Sequence, residues 1–223
     1  MRRNDTYFKE KTEKAFLMLT LHANGRLSLQ VGLGQKVEGR VPLDKAEIYD
    51  VTSPLHLTGT HLVAVASSNQ LFIMSQVPHS SLQPIAQQLL LLKRLPFTED
   101  IKAVRWIVGR EEVVLAVVFE TYVLFLGDDW RVWGSVEVQP CKILSIDSGP
   151  VALDQSFFFI INTSSKSVLY RVRLGMDLDV GVMLELDAKA EALVFRDYLG
   201  LEAKRGSEFY FFNGTKWETA LYD

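Results

Sequence analysis

The 223-residue chain is 48% hydrophobic, 11% aromatic and 23% charged, a balance that excludes a disordered or low-complexity chain and allows a sizeable core. Twenty-four basic residues against 27 acidic ones give a formal net charge of −3. No broad cationic field therefore exists to gather phosphate backbones or anionic lipid, and nucleic acid is not an expected partner.

A single cysteine, Cys141, cannot make an internal disulfide, and the polar start Met1-Arg2-Arg3-Asn4-Asp5 lacks the apolar stretch of a signal peptide. Both point to a reducing compartment, cytoplasm or nucleus. Three matches to the N-glycosylation triplet, at Asn4, Asn162 and Asn213, point the other way, but so short a pattern arises often by chance. The longest apolar run, near Ile85 to Leu92, is broken by Gln87 and Gln88 and closed by Lys93-Arg94. It falls well short of the roughly 20 residues that span a bilayer, so no membrane insertion is expected.

Taken in chain order, residues 1–13 read as a polar N-terminal segment and residues 14–223 as one repetitive domain. An apolar β-branched or aromatic run, a short polar turn and a second such run recur five times, each reading as a hairpin. The first is Phe16–His22 turning at Asn24-Gly25 into Leu27–Val31, the second Leu62–Ala66 turning at Ser68-Asn69 into Leu71–Met74, and the third Val113–Phe119 turning at Glu120-Thr121 into Tyr122–Leu126. The fourth is Phe157–Ile161 turning through Asn162 to Lys166 into Val168–Val172, and the fifth Phe209–Phe212 turning at Asn213-Gly214 into Trp217. Successive turns are 44, 52, 44 and 49 residues apart, the period of propeller blades built from four strands.

The segments between hairpins repeat as well. Runs beginning near Lys45, Lys102, Lys142 and Lys189 supply a first strand, and Lys36–Leu43, Leu89–Phe97, Trp130–Val138 and Val180–Leu186 a fourth. The expected fold is all-β and β-propeller-like, about four to five blades of four antiparallel strands, with blades near residues 14–43, 44–97, 98–139, 140–187 and 188–223. Runs such as Val113–Phe119 and Phe157–Ile161 fit inner strands covered on both faces, because a one-sided sheet could not hide them. A β-sandwich has similar strands but needs no such period. Residues 82–95, rich in Gln, Leu and Lys, also suit a helix.

The repeat resembles a divergent WD40-like β-propeller over nearly the whole chain, in architecture only. None of His22, His56, His61 or His79 follows a glycine, and Asp129-Trp130 reverses the Trp-Asp order. The count of strands is three, four, four, four and three. This leaves either a small closed propeller with an irregular first blade or, as the preferred reading, an open or incomplete set whose edges are covered by another chain, by β-strand addition, or by further sequence.

The residues name no reaction. Four scattered histidines and one cysteine make no metal-ligand cluster, and Gly32-Leu33-Gly34 with Gly39 lacks the spacing and lysine of a phosphate loop. His56 and His61 read as structural, Cys141 as a buried thiol, and Glu99-Asp100, Glu111-Glu112 and Asp128-Asp129 as solvated turns. No catalytic, cofactor-binding or metal residue is assigned, and no cofactor is expected. Asp128 to Trp133 combines an acidic turn with Trp130, Arg131 and Trp133, residue types that anchor interfaces. Strand alternation would point Arg131 and Trp133 together and Trp130 oppositely. Packing of a tryptophan between blades is the first reading of this patch, and a protein-interaction site the second.

These observations describe a non-enzymatic protein-interaction scaffold, a propeller-type subunit of a larger intracellular complex whose partners are other protein subunits at open blade edges or the rim. One alternative is a propeller enzyme with a central-channel site that spacing cannot reveal. Another is nucleic-acid binding, which would require Lys93, Arg94, Arg171, Arg173, Lys204 and Arg205 to gather on one surface.

Overall fold

The computed structural model describes residues 5–9, 17–22, 25–31, 36–41, 48–51, 60–76, 88–108, 112–138, 141–151, 156–173, 178–187, 193–195, 200–203 and 208–221. Among these every regular element is a strand. The chain divides into two compact units, Met1–Val104 and Arg105–Asp223.

The first eight strands are β1 (Asp5–Lys9), β2 (Leu17–Leu21), β3 (Arg26–Val31), β4 (Lys36–Arg40), β5 (Ile48–Val51), β6 (Leu62–Ser67), β7 (Gln70–Gln76) and β8 (Gln88–Pro96). They form one sheet in the order β1-β2-β3-β4-β8-β7-β6-β5. Each half is an antiparallel meander, and the halves meet through a short parallel bridge, Glu38↔Gln88 and Gly39↔Leu89. Leu19, Leu27, Leu29, Val37 and Val41 of one half pack with Val63, Val65, Phe72, Met74 and Leu89 of the other in a single apolar cluster. The sheet is thus folded over at the bridge. Gly39 makes that fold feasible, since a Cβ at this position would lie 2.6 Å from Leu89 Cβ.

The second unit holds three four-strand antiparallel sheets, one of which begins at the division. Their strands are β9 (Ala103–Val108), β10 (Val113–Val118), β11 (Tyr122–Leu126) and β12 (Val132–Glu137); β13 (Ile143–Val151), β14 (Ser156–Thr163), β15 (Lys166–Arg173) and β16 (Asp179–Asp187); and β17 (Leu193–Phe195), β18 (Gly200–Ala203), β19 (Glu208–Phe212) and β20 (Trp217–Leu221). The four-strand repeat read from the period is therefore present.

Both faces of β14 are buried along its whole length. Phe157 and Phe159 meet Phe125 of β11 edge to face, at 5.9 and 5.3 Å between ring centroids. Phe158 and Ile160, on the opposite face, join Leu169 in a cluster with Leu193, Leu201, Ala203, Tyr210 and Trp217. Period-two alternation thus serves two neighbouring sheets at once, which is why the strand reads as unbroken apolar sequence. Within this cluster burial, aided by the hydrogen bond its hydroxyl donates to Glu208 Oε2 (2.9 Å), pushes Tyr210 up to about 12.

Three details differ from the sequence pattern. Residues 5–9, read as part of a polar segment, form β1, and the short β18 completes the last sheet, so the first and last units have four strands each rather than three. The hairpin at Asn213-Gly214 joins the last two strands of its sheet, whereas the earlier four hairpins join the middle two. Residues 88–96 are strand, not helix; residues 82–87 lie outside the described residues.

Hydrogen bonds at two of the middle-hairpin turns tie the strands there to the chain that leaves them. In the second four-strand half, the Asn69 carbonyl accepts from Phe97 N–H (2.8 Å) just after β8, and the Ser68 carbonyl accepts from Ile101 N–H (2.7 Å) just before β9. In the next sheet the Thr121 carbonyl accepts from Val138 N–H (2.8 Å) and the Glu120 carbonyl from Ile143 N–H (2.8 Å). Side chains repeat the clasp with different chemistry. Ser68 Oγ donates to Asp100 Oδ1 at 2.6 Å, and Lys142 Nζ reaches Glu120 Oε1 at 2.6 Å, which raises the lysine pKa.

A buried amide makes the corresponding link to β17. Asn162 follows Phe158 and Ile160 on the same face of β14 and is almost fully buried. Its Oδ1 accepts from Leu193 N–H (2.9 Å) and Ser167 Oγ (2.6 Å), and its Nδ2 donates to the Leu193 carbonyl (3.1 Å) and Ser145 Oγ (3.0 Å). All four hydrogen bonds available to the amide are made. Two residues along, Asp147 Oδ2 accepts from Phe195 N–H at 3.0 Å. Side chains here stand where a neighbouring strand would.

Two outcomes follow from this packing. Gly39→Ala should lower stability by about 1–3 kcal/mol in urea unfolding. Gly181→Ala, where an added Cβ meets nothing within 4 Å, should change it by no more than about 0.5 kcal/mol; equal effects would deny the close approach at the bridge. Asn162→Ala strands two backbone groups of Leu193 and should cost on the order of 3 kcal/mol. In native-state hydrogen exchange the variant's Leu193 and Phe195 amides should lose protection while those of β10 and β11 keep theirs.

Candidate interaction surface

The turn between β11 and β12 gathers the three residues singled out from the sequence. It closes with Trp130 N–H donating to the Gly127 carbonyl and Gly127 N–H to the Arg131 carbonyl, each at 3.0 Å. Trp130 adopts φ +64°, left-handed backbone that is uncommon for a bulky residue and marks a strained turn. It lies in the turn and not on the strand, so alternation does not govern its direction.

Trp130 is half-buried, with its ring edge-to-face on Trp106 of β9 at 6.2 Å. Trp133, also half-buried, lies flat over Gly127, where a Cβ would come within 2.1 Å of its Nε1 and 2.0 Å of Cε2. Both rings therefore pack on their own sheet. Arg131 is the member left facing solvent, its side chain 85% exposed and 3.4 Å from Asp129 Oδ2. The Asp129 carboxylate also accepts from Arg131 N–H (3.0 Å), orienting the turn. Beside Arg131 stands Val132, 58% exposed. Arg131 with Val132, rather than Arg131 with Trp133, is the surface the turn presents.

Other residues weighed for chemistry are structural. His61 is buried, and its carbonyl accepts from Gln76 N–H (3.0 Å); His56 lies outside the described residues. Cys141 is half-buried rather than buried, with Sγ 2.7 Å from Ser165 Oγ, because it sits in the open turn before β13. Asn162 is enclosed and fully hydrogen-bonded, which leaves no room for a glycan, and Asn4 lies outside the described residues. Asn213 is exposed but its carboxamide is engaged by Thr215 and Lys216 N–H at 3.0 Å each. Among the described residues no group of three or more His, Cys, Asp or Glu could hold a metal ion.

Exposed large apolar side chains stand on β8, on the end strands β12, β13 and β16, and on the inner strand β19. Leu90, Leu91 and Leu92 of β8 are 51, 46 and 49% exposed, and Val182 of β16 58%. The sequence reading places the leucine run in a fourth strand or a helix and takes it as too short to span a membrane; the signal of its exposure is the absence of alternation along the strand.

No family model matches the sequence, and no curated protein matches it. Among solved structures the chain is similar to BBS1N in a crystal of its complex with ARL6DN soaked with mercury, with TM-score 0.59 and 11% identity, over 96% of this chain and 63% of that one. It is also similar to BBS1N in the lead-soaked crystal of the same complex, with TM-score 0.54 and 14% identity, over 97% of this chain and 66% of that one. The chain thus spans less than two thirds of either. Identity at this level shows the fold alone, and that fold is an all-β, propeller-like architecture.

Proposed function

We propose that this chain is a non-catalytic protein-interaction module, a propeller-type subunit of a larger intracellular assembly in the cytoplasm or nucleus. The observation that carries the reading is the placement of large apolar side chains in solvent on β8, β12, β13 and β16, where burial against a partner would remove them from water. Arg131 and Val132, raised on a braced turn over two packed tryptophans, form one contact surface; a guanidinium beside apolar area is common at interface centres. The similarity to a propeller-like domain captured with a protein partner supports the same reading.

Isolation of the tagged full chain from its native cells tests it. The chain should co-elute with another protein at fixed stoichiometry, and Arg131→Glu combined with Val132→Asp should lower recovery of that protein at least about tenfold while leaving thermal unfolding unchanged. A chain that stays monomeric and alone under mild extraction would contradict the proposal.

A further inference from the structure

The parallel bridge between β4 and β8 covers only Glu38↔Gln88 and Gly39↔Leu89. The bridge extends no further: Val41 N–H continues the ladder to its own meander at the Gly25 carbonyl (2.9 Å), while β8 runs on to Pro96 with β7 alone as its neighbour among the described residues. From Leu90 onward no described strand pairs with the outer side of β8, and a strand side of that kind offers backbone donors and acceptors to another chain.

The side chains along this edge are unusual for one. Natural edges are guarded by charge, proline or a bulge that twists them away; on β8 charge and proline stand only at its far end, Lys93, Arg94 and Pro96, and before them three consecutive leucines are about half exposed. The register shift between Ile73 and Met74 leaves Leu92 without an opposite residue on β7, which breaks the alternation and brings neighbouring leucines out together. Lys93 and Arg94 follow. Arg94 is held to its own sheet, over the Phe72 ring at 5.6 Å and hydrogen-bonded to Gln70 Oε1 at 2.7 Å from Nη2. Lys93 and, on β4, Arg40 are exposed.

Charge decides what fits. The two strands that meet at the bridge carry four cations, Lys36, Arg40, Lys93 and Arg94, against one carboxylate, Glu38. That carboxylate is already paired with Arg26 and Lys36, which hold its pKa down. A second copy of this chain docked edge to edge would bring eight cations together with no uncommitted carboxylate between them.

We propose that the outer edge of β8, from Leu90 to Arg94, binds an extended segment of a partner protein by β-strand addition, the segment carrying apolar residues for the leucines and acidic residues for Lys93 and Arg40. Backbone pairing supplies the affinity and the leucine and cation positions supply the choice of sequence. The inference rests on the interaction-module reading and assigns one of its surfaces.

Selection of a random peptide display library on the full-length chain tests it. Enriched peptides should combine apolar residues with Asp or Glu, and on binding should protect the amides of residues 90–94 from hydrogen exchange. Lys93→Glu should weaken them about tenfold, and Leu90→Asp with Leu92→Asp should abolish binding, with urea unfolding of both variants unchanged. Enriched peptides without carboxylates, protection elsewhere than on β8, or no enrichment would each overturn the proposal. So would self-association of the chain that protects β8, or protection of β8 only by phosphatidylserine vesicles. If the protein isolated from cells is released by the Arg131 and Val132 substitutions but not by those on β8, the edge assignment fails and the interaction module stands.

Discussion

Two adjacent carbonyls at the tip of a hairpin set where the next sheet begins. In the turn at Ser68-Asn69 and again at Glu120-Thr121, one carbonyl takes the N–H that ends its own sheet's last strand and the other takes the N–H that opens the following sheet. Each bond contributes only about 1 kcal/mol net. Together they hold both ends of the short segments from Phe97 to Ile101 and from Val138 to Ile143. The backbone carries this constraint. The side chains that reinforce it, Ser68 with Asp100 and Glu120 with Lys142, share geometry but not identity, which explains how a regular repeat persists without a repeated signature.

Once the crossings are fixed, burial follows from the layering. β14 lies between two sheets, so its odd and even residues face different neighbours and all are enclosed. Within that interior Asn162 makes every bond its amide offers, pairing with Leu193 through both amide atoms and with Ser145 and Ser167. The end strands β12, β13 and β16 lack a second neighbour in their sheets, and each carries a large apolar side chain that stands exposed, Val132, Leu144 and Val182.

Much of this organisation was legible in the sequence. The spacing of the turns identified the four-strand repeat, and the unbroken runs at Val113–Val118 and Phe157–Ile161 identified strands covered on both faces. What escaped notice had physical reasons. β18, Gly200-Leu-Glu-Ala, is too short to show a period, and β1 carries Asp5, Thr6 and Lys9 in a segment whose composition is polar. Asn162 looks in sequence like a surface triplet because nothing local tells that its carboxamide meets a strand 31 residues away. Trp130 could not be placed by alternation because a left-handed residue ends the turn before the strand starts. The leucines of β8 were visible as a run, but their exposure depends on a bulge and on where the bridge to β4 ends, neither of which the sequence encodes locally.

Native-state hydrogen exchange on the amides of Ile101 and Val138, one from each turn, tests the clasp most directly, since both lie outside the strands and their N–H groups bond to the turn carbonyls of Ser68 and Thr121. Protection comparable to that of the neighbouring middle strands is the predicted result. Exchange at the rate of an open loop would show that the turn carbonyls do not hold the crossings, and would contradict the account of how the sheets are set in order.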